Sequence, residues 1–469
     1  MLKEDLVAME KRCSLGIFAL STIVVGSMIG GGIFNMPKNI AQTSSAGAAM
    51  IGWLISGVGV LFLAKNFQIL ASETPDITDG IYKYAKVGFG NFSGFHSAWG
   101  YWISNVISNA SYPVLLVQTL NYFFPSIGPI NSINGLLLGT LLIWIVIGIA
   151  LTGDIGLKFI NVLATIGKVI AIFLGIVILY IGFDKQIFFK DFWSVSLNNP
   201  SVFTQVKGCM LQTLWAFIGI EGAVVISDKA SDIKLVGRAT MIGYFISLFL
   251  YVFIVLLSYG VLSDAELAAL KNPALSYIIE RVIGPVGASL VNIAVLVSVG
   301  GAWLSWTFLT AEIPYNVALD GLFPKFFKKV NKNDACSGAL LTNGVLKQIV
   351  FFLSLSAQNA YLVITNSASC MILIPYIFSS LFLTKIAIRN SHKKCFYWGV
   401  GGVIYGAWMI YSSGLNYIFQ SLSLYSFGTL YFIYATKRET GYFFQNTKEK
   451  FISFIILIFG IISVYYILI

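Results

Sequence analysis

Long apolar runs separated by short polar segments extend along almost the whole chain. A membrane-spanning helix needs about 20 consecutive and mostly apolar residues. Runs of this kind predict thirteen spans, at 14–36, 46–70, 97–122, 133–151, 158–183, 205–227, 239–261, 283–311, 338–356, 359–384, 396–411, 414–436 and 451–469. The eleventh and thirteenth runs are the weakest of the set. The pattern therefore predicts an all-α, multi-pass membrane protein with about 12–13 transmembrane helices and no separate soluble domain.

Basic residues are distributed unequally between the loops on the two sides of these spans. With a cytoplasmic N-terminus, the inside segments hold 22 of the 30 Lys and Arg residues and the outside segments hold five. These five are Lys38, Lys185, Lys190, Lys271 and Arg281. Cytoplasmic loops of membrane proteins carry such an excess. We therefore expect a cytoplasmic N-terminus, and the net charge of +10 needs no nucleic-acid partner.

The first span follows a short charged stretch, from Lys3 to Arg12. It is too long and too rich in glycine for a cleaved signal peptide, so we expect it to be retained.

Composition changes this picture only by excluding other classes of protein. Hydrophobic residues make up 57% of the 469 residues and charged residues 11%, against about 25% charged residues in soluble proteins. A soluble enzyme, a disordered chain and a coiled coil are therefore excluded. The five cysteines are far apart in sequence and there are only two histidines, which argues against a disulfide framework, a metal site or a catalytic triad. We expect no enzymatic activity, no metal and no cofactor.

The first predicted span contains three consecutive glycines, Gly30, Gly31 and Gly32, near the middle of the membrane. Glycine is a poor helix former, and a packing motif needs glycine at every fourth position rather than three in a row. The pattern therefore favours an interruption of the helix over a packing face. Backbone N–H groups freed at the start of the second half-helix would face an anion such as a carboxylate.

The sixth predicted span contains Glu221 between Gly219 and Gly222. Carboxylates inside a membrane are functional by default, although a structural hydrogen bond to a neighbouring helix remains the alternative. The two interruptions lie five spans apart, and an odd number of spans inverts the topology. Spans 1–5 and 6–10, at about 14–183 and 205–384, are therefore expected to form inverted repeats with a binding site at their matching breaks.

Several motifs occur in an order that resembles the amino acid–polyamine–organocation (APC) superfamily. They are GSMIGGGIFNMP at 26–37, GWLISGVG at 52–59, GIYKYAKVGFGNFSGFHSAWGYWISN at 80–105, LWAFIGIEGA at 214–223, GLFPKFFKKVN at 321–331 and IPYIF at 374–378. Within the superfamily the chain is most similar to the basic amino-acid antiporters, first the arginine/ornithine exchangers and next the arginine/agmatine exchangers.

The resemblance implies a LeuT-type fold of 5+5 inverted repeats with broken helices 1 and 6. It also implies two or three further C-terminal spans. Residues 1–436 would then be the transporter core with its C-terminal helices, and 437–469 a cytoplasmic loop with an extra C-terminal transmembrane helix.

The resemblance further implies which residues contact the substrate. The carboxylate and amino group are expected at the first break, and the cationic end at aromatic residues through cation–π attraction. Trp306 matches a cation-stacking tryptophan, with Trp303 as its competitor, and glycine stands at 31 where related exchangers often have serine. The interfacial aromatic belt is the alternative place for Trp306 and Tyr101. The implied substrate-binding residues are Ser27, Met28, Gly30, Gly31, Gly32, Tyr101, Asn109, Trp215, Ile218 and Trp306.

Two charged residues inside spans are candidates for gating or coupling. Glu221 is the candidate gating or proton-coupling carboxylate. Lys168 lies ten residues into the fifth span, in a region where the resemblance places a sodium ion in sodium-coupled relatives, so its ammonium would replace the ion. A lysine that extends to the membrane interface is the alternative.

The resemblance implies a secondary antiporter of the bacterial inner membrane that exchanges extracellular L-arginine for intracellular ornithine by alternating access. Arginine/agmatine exchange and proton-coupled symport of basic amino acids are the alternatives. A transport-deficient amino-acid sensor is less favoured because no signalling domain is visible. The expected partners are the small-molecule substrate and membrane lipid, without nucleic acid, and a homodimer is left open.

Overall fold

The computed structural model describes residues 15–77, 80–153, 157–194, 201–225, 230–440, 442–444 and 446–468. The predicted span positions 14, 226–227 and 469, and the basic residues Lys3 and Arg12, lie outside these ranges. The described part of the chain is almost entirely helical. Its one pairing of β type is an isolated parallel bridge between Leu15 and Ala230.

The helices follow the predicted order along the chain. The first half contains α1 (Ile17–Met28), α2 (Met36–Ala41), α3 (Ala46–Glu73), α4 (Tyr82–Phe89), α5 (Asn91–Asn109), α6 (Ser111–Phe123), α7 (Ile133–Leu151), α8 (Leu157–Ile181) and α9 (Lys185–Lys190). The second half contains α10 (Val202–Trp215), α11 (Gly222–Val225), α12 (Ile233–Ser258), α13 (Asp264–Ala269), α14 (Ala274–Ile283), α15 (Pro285–Leu319), α16 (Ser337–Ser354), α17 (Ala360–Met371), α18 (Leu373–Arg389), α19 (Lys393–Thr440) and α20 (Thr447–Leu468).

A helix lies at each of the thirteen predicted spans. The eleventh and twelfth spans both fall in α19, where Gly414 has a non-helical backbone (φ 77°) that separates them. The third and tenth spans each consist of two helices, which meet at Ala110 and Ile372. The eighth span continues beyond its predicted end to Leu319, because α15 remains helical after the apolar run stops.

Among the residues that the structure describes, six helical segments are long and apolar enough to cross a membrane by length and composition alone. They are Ala46–Glu73, Ile133–Leu151, Ile233–Ser258, Pro285–Leu319, Ala360–Arg389 and Thr447–Tyr466. Large apolar side chains such as Leu137, Phe245 and Phe454 are exposed on the outer surfaces of these helices. Such a surface is unfavourable in water and suits a lipid environment. The predicted class, an all-α multi-pass membrane protein, is therefore confirmed.

The two spans with predicted interruptions lie side by side in the centre of the molecule. α1 packs against α8, α11 and α12, while α10 packs against α3 and α17. α17 in turn packs against α5, and α15 packs against α5, α6 and α8. This arrangement encloses both interruptions between helices from the two halves of the chain.

Candidate functional site

The first interrupted span consists of α1, a short 3-10 turn and α2. α1 ends at Met28, and the end of a helix leaves its last carbonyl groups without intrahelical donors. Two of these carbonyls accept hydrogen bonds from side chains. Lys168 Nζ donates to Gly26 O at 2.7 Å, and Tyr251 Oη donates to Met28 O at 3.0 Å. An ammonium and a hydroxyl therefore satisfy the carbonyl end of α1.

The 3-10 turn presents backbone N–H groups at the opposite side of this break. Gly31 and Gly32 are its first residues, so the turn itself provides no acceptor for their N–H groups. A Cβ placed on Gly32 would lie 2.5 Å from Trp215 Nε1, so glycine allows this indole to lie against the backbone. A Cβ on Gly31 would lie 2.6 Å from Leu115 Cδ2. Leu115 thus fills the space that a serine at this position would need.

The sixth span is interrupted between Trp215, where α10 ends, and Gly222, where α11 begins. Gly219 within this segment has φ 103°, a backbone conformation that favours glycine. A Cβ on Gly219 would lie 2.9 Å from the carbonyl carbon of Ser27, and one on Gly222 would lie 3.0 Å from Ser27 Oγ. Both predicted interruptions are therefore present, and they are in direct contact.

A small cavity of about 30 Å³ adjoins the two breaks. A space of this size holds about two water molecules, whereas ligand pockets usually measure about 300 Å³ or more. The walls must therefore move apart before an amino acid can enter. Among the described residues that line it, five are aromatic and none is charged: Ser27, Met28, Gly30, Gly31, Gly32, Ser108, Ser111, Tyr112, Trp215, Ile218, Tyr251, Trp306 and Tyr361.

Two tryptophans of α15 compete for the predicted stacking position, and only one of them reaches the cavity. Trp306 lines it and is 7% exposed. Trp303, almost one turn earlier, does not line it and stacks on Tyr112 instead, with ring centroids 6.0 Å apart and an interplanar angle of 26°. The geometry therefore favours Trp306 as the aromatic face available to a bound cation.

Glu221 is fully buried and lies outside the cavity lining. Tyr101 Oη donates to its Oε1 at 2.9 Å, and Tyr376 Oη donates to its Oε2 at 2.7 Å. The Gly219 N–H donates to Oε2 at 3.2 Å. Hydrogen bonds of this kind compensate for the burial of a carboxylate. They connect the sixth break to α5 and α18, so relative movement of these helices would require the bonds to break.

The cavity brings together eight of the ten predicted substrate-binding residues. Tyr101 is the ninth and bonds to Glu221 instead. Asn109 is the tenth and donates to Thr310 Oγ1 at 3.1 Å, away from the cavity. Contact with substrate stays a prediction for all ten. Those that line the cavity are Ser27, Met28, Gly30, Gly31, Gly32, Trp215, Ile218 and Trp306.

Sequence reasoning missed five residues of the lining: Ser108, Ser111, Tyr112, Tyr251 and Tyr361. Ser108 and Ser111 flank Ala110, the residue at which α5 gives way to α6. A cluster of small polar residues inside an apolar span was a usable signal for this position. The three tyrosines come from three different spans and become neighbours only in the folded protein.

Comparisons with known proteins identify the family. Residues 15–467 match the amino acid permease family. An arginine/ornithine antiporter of Pseudomonas aeruginosa is 39% identical, with 98% of this chain and 98% of that protein covered. An arginine/agmatine antiporter of Chlamydia felis is 38% identical, with 96% of each chain covered. A putative amino-acid transporter of Clostridium perfringens is 37% identical, with 98% of this chain and 99% of that protein covered.

A solved structure has a similar fold despite low sequence identity. It is a Na⁺-coupled sialic acid symporter in a substrate-bound outward-open state, with a TM-score of 0.51 and 13% identity, covering 86% of this chain and 90% of that chain. This likeness supports the predicted fold class alone. The inverted relation of the two halves stays a prediction.

The apolar helices and the bacterial relatives together indicate the cellular location of the protein. The chain is a multi-pass protein of the bacterial inner membrane, and the family and the relatives are transporters. By a match that spans nearly all its residues, the chain belongs to the amino acid permease family of the APC superfamily, as the order of its motifs predicts.

Proposed function

We propose that this protein is a secondary antiporter that takes up extracellular L-arginine and releases intracellular ornithine. Relatives named as arginine/ornithine and arginine/agmatine antiporters support the exchange of basic amino acids. Arginine and ornithine both carry a net charge of +1 at neutral pH. Their one-for-one exchange would therefore move no net charge across the membrane.

The observation that carries this proposal is a cavity whose described lining is uncharged and consists largely of the glycines of the first break and of aromatic residues. Gly31 and Gly32 offer N–H groups to the α-carboxylate of an amino acid. The ring of Trp306 offers its face to a guanidinium or ammonium, an attraction of about 2 kcal/mol or more when desolvated. Binding the cation without a buried ion pair favours its release on the other side of the membrane, because no charge in the lining is left unpaired.

The contracted cavity indicates how the substrate would be enclosed. Because the Trp215 indole lies against Gly32, it must move before a substrate carboxylate can reach the N–H groups there. We assign to Trp215 the closing of the site over the bound substrate. Alternating access would then expose the same site to each side in turn, by movement of one helix bundle against the other.

We assign gating to Glu221 and replacement of a coupling ion to Lys168. Glu221 holds the sixth break to α5 and α18 through two tyrosine hydroxyls. Lys168 places its ammonium on the carbonyl end of α1, which is where the broken helices of related folds coordinate sodium. Neither residue lines the cavity, so both would act on the movement rather than on the substrate.

The same proposal divides the chain into functional parts. Residues 1–436 form the transporter core with its C-terminal helices, and about 14–183 and 205–384 form its inverted repeats. Residues 437–469 add a cytoplasmic loop and one further transmembrane helix, which α20 supports by its length and apolar composition.

Counterflow in proteoliposomes tests the proposed function. Vesicles are loaded with ornithine, agmatine, lysine or buffer, and the entry of labelled arginine is measured. We expect rapid entry into ornithine-loaded vesicles and negligible entry into buffer-loaded ones. Arginine entry that follows an imposed pH gradient into empty vesicles would instead establish proton-coupled symport. No entry under any condition would contradict transport and favour a sensor.

Arginine/agmatine exchange is the second candidate, because relatives with that name are about as similar to the chain as the arginine/ornithine antiporter. Agmatine carries two positive charges, so this exchange would move net charge. Faster arginine entry into agmatine-loaded vesicles, with a rate that depends on the membrane potential, would identify agmatine as the exchange partner.

A further inference from the structure

A second and much larger cavity, of about 760 Å³, lies among segments that the distribution of basic residues places on the outer side of the membrane. We call it the outer vestibule. Its walls come from α2, the end of α6, the loop after α6, the segment between α13 and α14, α14 itself, and the segment before α17. The distribution of basic residues orients these segments away from the cytoplasm.

The outer vestibule lies directly outside the central cavity. Ala360 lines the vestibule and its neighbour Tyr361 lines the central cavity. Likewise, Gly32 lines the central cavity, while Lys38, in the helix that follows the same break, lines the vestibule. A substrate that approaches the breaks from outside therefore passes through the vestibule first.

The vestibule is lined by positive charge, whereas a channel that only attracts cations would be lined by negative charge. Lys38 and Lys271 line it, and the described residues of its lining include no Asp or Glu. These are two of only five basic residues in the outside segments. Lys271 is exposed, and Lys38 Nζ donates to Asn272 Oδ1 at 3.2 Å. Both ammonium groups therefore lie along the path from the outside to the central cavity.

Three acidic residues, Asp264, Glu266 and Glu280, lie on the two helices beside the vestibule, and none of them lines it. Asp264 accepts a hydrogen bond from Ser194 Oγ at 3.2 Å, and burial raises the pKa of this carboxyl to about 6. Glu266 accepts from Ser263 in a capping box, and its pKa is held below the usual value by those bonds. Glu280 lies close enough to Tyr277 of the lining to act on it electrostatically. The lining itself therefore carries two lysines, with one carboxylate close behind it.

Uncharged polar groups complete the lining. Gln118 and Asn121 line the vestibule and are partly exposed, although their amide oxygens are themselves buried. The vestibule thus offers ammonium groups for a carboxylate and uncharged polar side chains around them.

We propose that the outer vestibule is a first binding site for the carboxylate of incoming amino acids, and that it disfavours amines that lack this group. This inference rests on the proposed function and adds a selectivity that only the outer face has. Arginine brings a carboxylate to Lys38 and Lys271. Agmatine, its decarboxylated counterpart, brings two positive charges and no carboxylate, so the same lysines repel it. A decarboxylated product released outside is therefore poorly taken back.

The test uses right-side-out membrane vesicles loaded with ornithine, in which only the outer face meets the medium. The KM for labelled arginine is measured, together with the inhibition constants of agmatine and of arginine methyl ester, whose carboxylate is blocked. Lys271→Gln is expected to lower the ratio of the agmatine inhibition constant to the arginine KM by about three- to ten-fold. The methyl ester, which also lacks the negative charge, should follow agmatine. Lys38→Gln should act in the same direction.

Lys185→Gln is the matched control, because Lys185 is also an exposed outer lysine but does not line the vestibule. Its ratio should remain within two-fold of the unmodified protein. An unchanged ratio in both vestibule variants, or an equal shift in the control, would overturn the vestibule proposal while arginine uptake persists. An absence of ornithine-dependent uptake in the unmodified protein would instead overturn the proposed function, and the vestibule proposal with it.

Discussion

The two interrupted spans both leave backbone groups without intrahelical partners inside the membrane, and they differ in what bonds to those groups. At the first break, the carbonyl end of α1 is satisfied by Lys168 and Tyr251, while Gly31 and Gly32, the first residues of the following turn, line the cavity. At the sixth break, Glu221 accepts hydrogen bonds from two tyrosines and from a backbone N–H of its own segment. The first break leaves backbone donors for a ligand, whereas the sixth is bonded to the surrounding helices.

This difference separates binding from movement. The first break has free donors at the cavity, so we expect substitutions there to change affinity. The hydrogen bonds of Glu221 connect helices that must move relative to each other, so we expect substitutions there to change the rate of exchange. Direct contact between Gly219 and Ser27 joins the two breaks. A change at this contact should therefore affect both affinity and rate.

Gly219→Ala should have the largest effect, because it disturbs this shared contact. The positive φ is unfavourable for alanine by about 1–2 kcal/mol, and the added Cβ would lie 2.9 Å from the Ser27 carbonyl carbon. Backbone cannot yield as a flexible side chain does, so the breaks must separate. We expect arginine exchange per folded protein to fall by about a hundred-fold or more, as misplacement by about 1 Å can cause.

Gly148→Ala is the control for this substitution, because a Cβ on Gly148 has no atom within 4 Å. It should exchange arginine at the unmodified rate. Gly219→Ala protein that exchanges at a comparable rate would show that the two breaks do not need their close contact.

The sequence predicts both breaks because their causes are local. Three consecutive glycines, and a glutamate between glycines, are unfavourable inside an apolar helix whatever surrounds them. The partners that complete each break were not predictable in the same way. Tyr376 and Tyr251 come from distant spans. Tyr376 lies in the IPYIF motif at 374–378, but neither segment indicates that its tyrosine bonds to a break. Asn109 is the opposite case. The resemblance implied that it contacts the substrate, but its amide donates a hydrogen bond to Thr310 in this conformation.

Trp306→Leu tests the binding side of the comparison. Removing the ring face should weaken arginine binding by about 2 kcal/mol, or about thirty-fold. A neutral analogue of arginine should lose much less affinity, because only the cation is attracted by the ring. Isothermal titration calorimetry with both ligands measures the difference.

Trp303→Leu serves as the matched variant, since Trp303 packs on Tyr112 and does not line the cavity. It should lower thermal stability without discriminating between the cationic and the neutral ligand. Equal losses of affinity for both ligands in Trp306→Leu would show that Trp306 only packs.

Glu221→Gln tests the movement side and should have a smaller effect than the loss of the ring. The substitution is nearly isosteric, but the amide offers one acceptor oxygen where the carboxylate offers two, so the two tyrosine hydroxyls cannot both donate as before. Charge-assisted hydrogen bonds are also roughly twice as strong as neutral ones. We expect binding to stay within a few-fold and exchange to slow by about ten-fold.

The pH dependence gives this variant a second readout. Exchange is measured from about pH 5 to 8 alongside binding, and the profile should flatten if Glu221 changes its protonation during the cycle. A variant with the unmodified rate and the unmodified profile would make Glu221 structural and return the question of coupling to Lys168.

The smallest expected effect is none at all, and it concerns sodium at the first break. A helix that ends inside the membrane exposes carbonyl oxygens, which related folds satisfy with sodium. Here Lys168 is buried and its Nζ lies 2.7 Å from Gly26 O, so the lysine already occupies the carbonyl end of the helix, where a cation is favoured. A sodium ion would have to displace or approach this ammonium, which like charges oppose. Replacing external and internal sodium by choline should therefore leave the rate of arginine exchange unchanged. A steep dependence on sodium would show that Lys168 does not take the place of the ion, and the first break would then need a cation that the lysine does not supply.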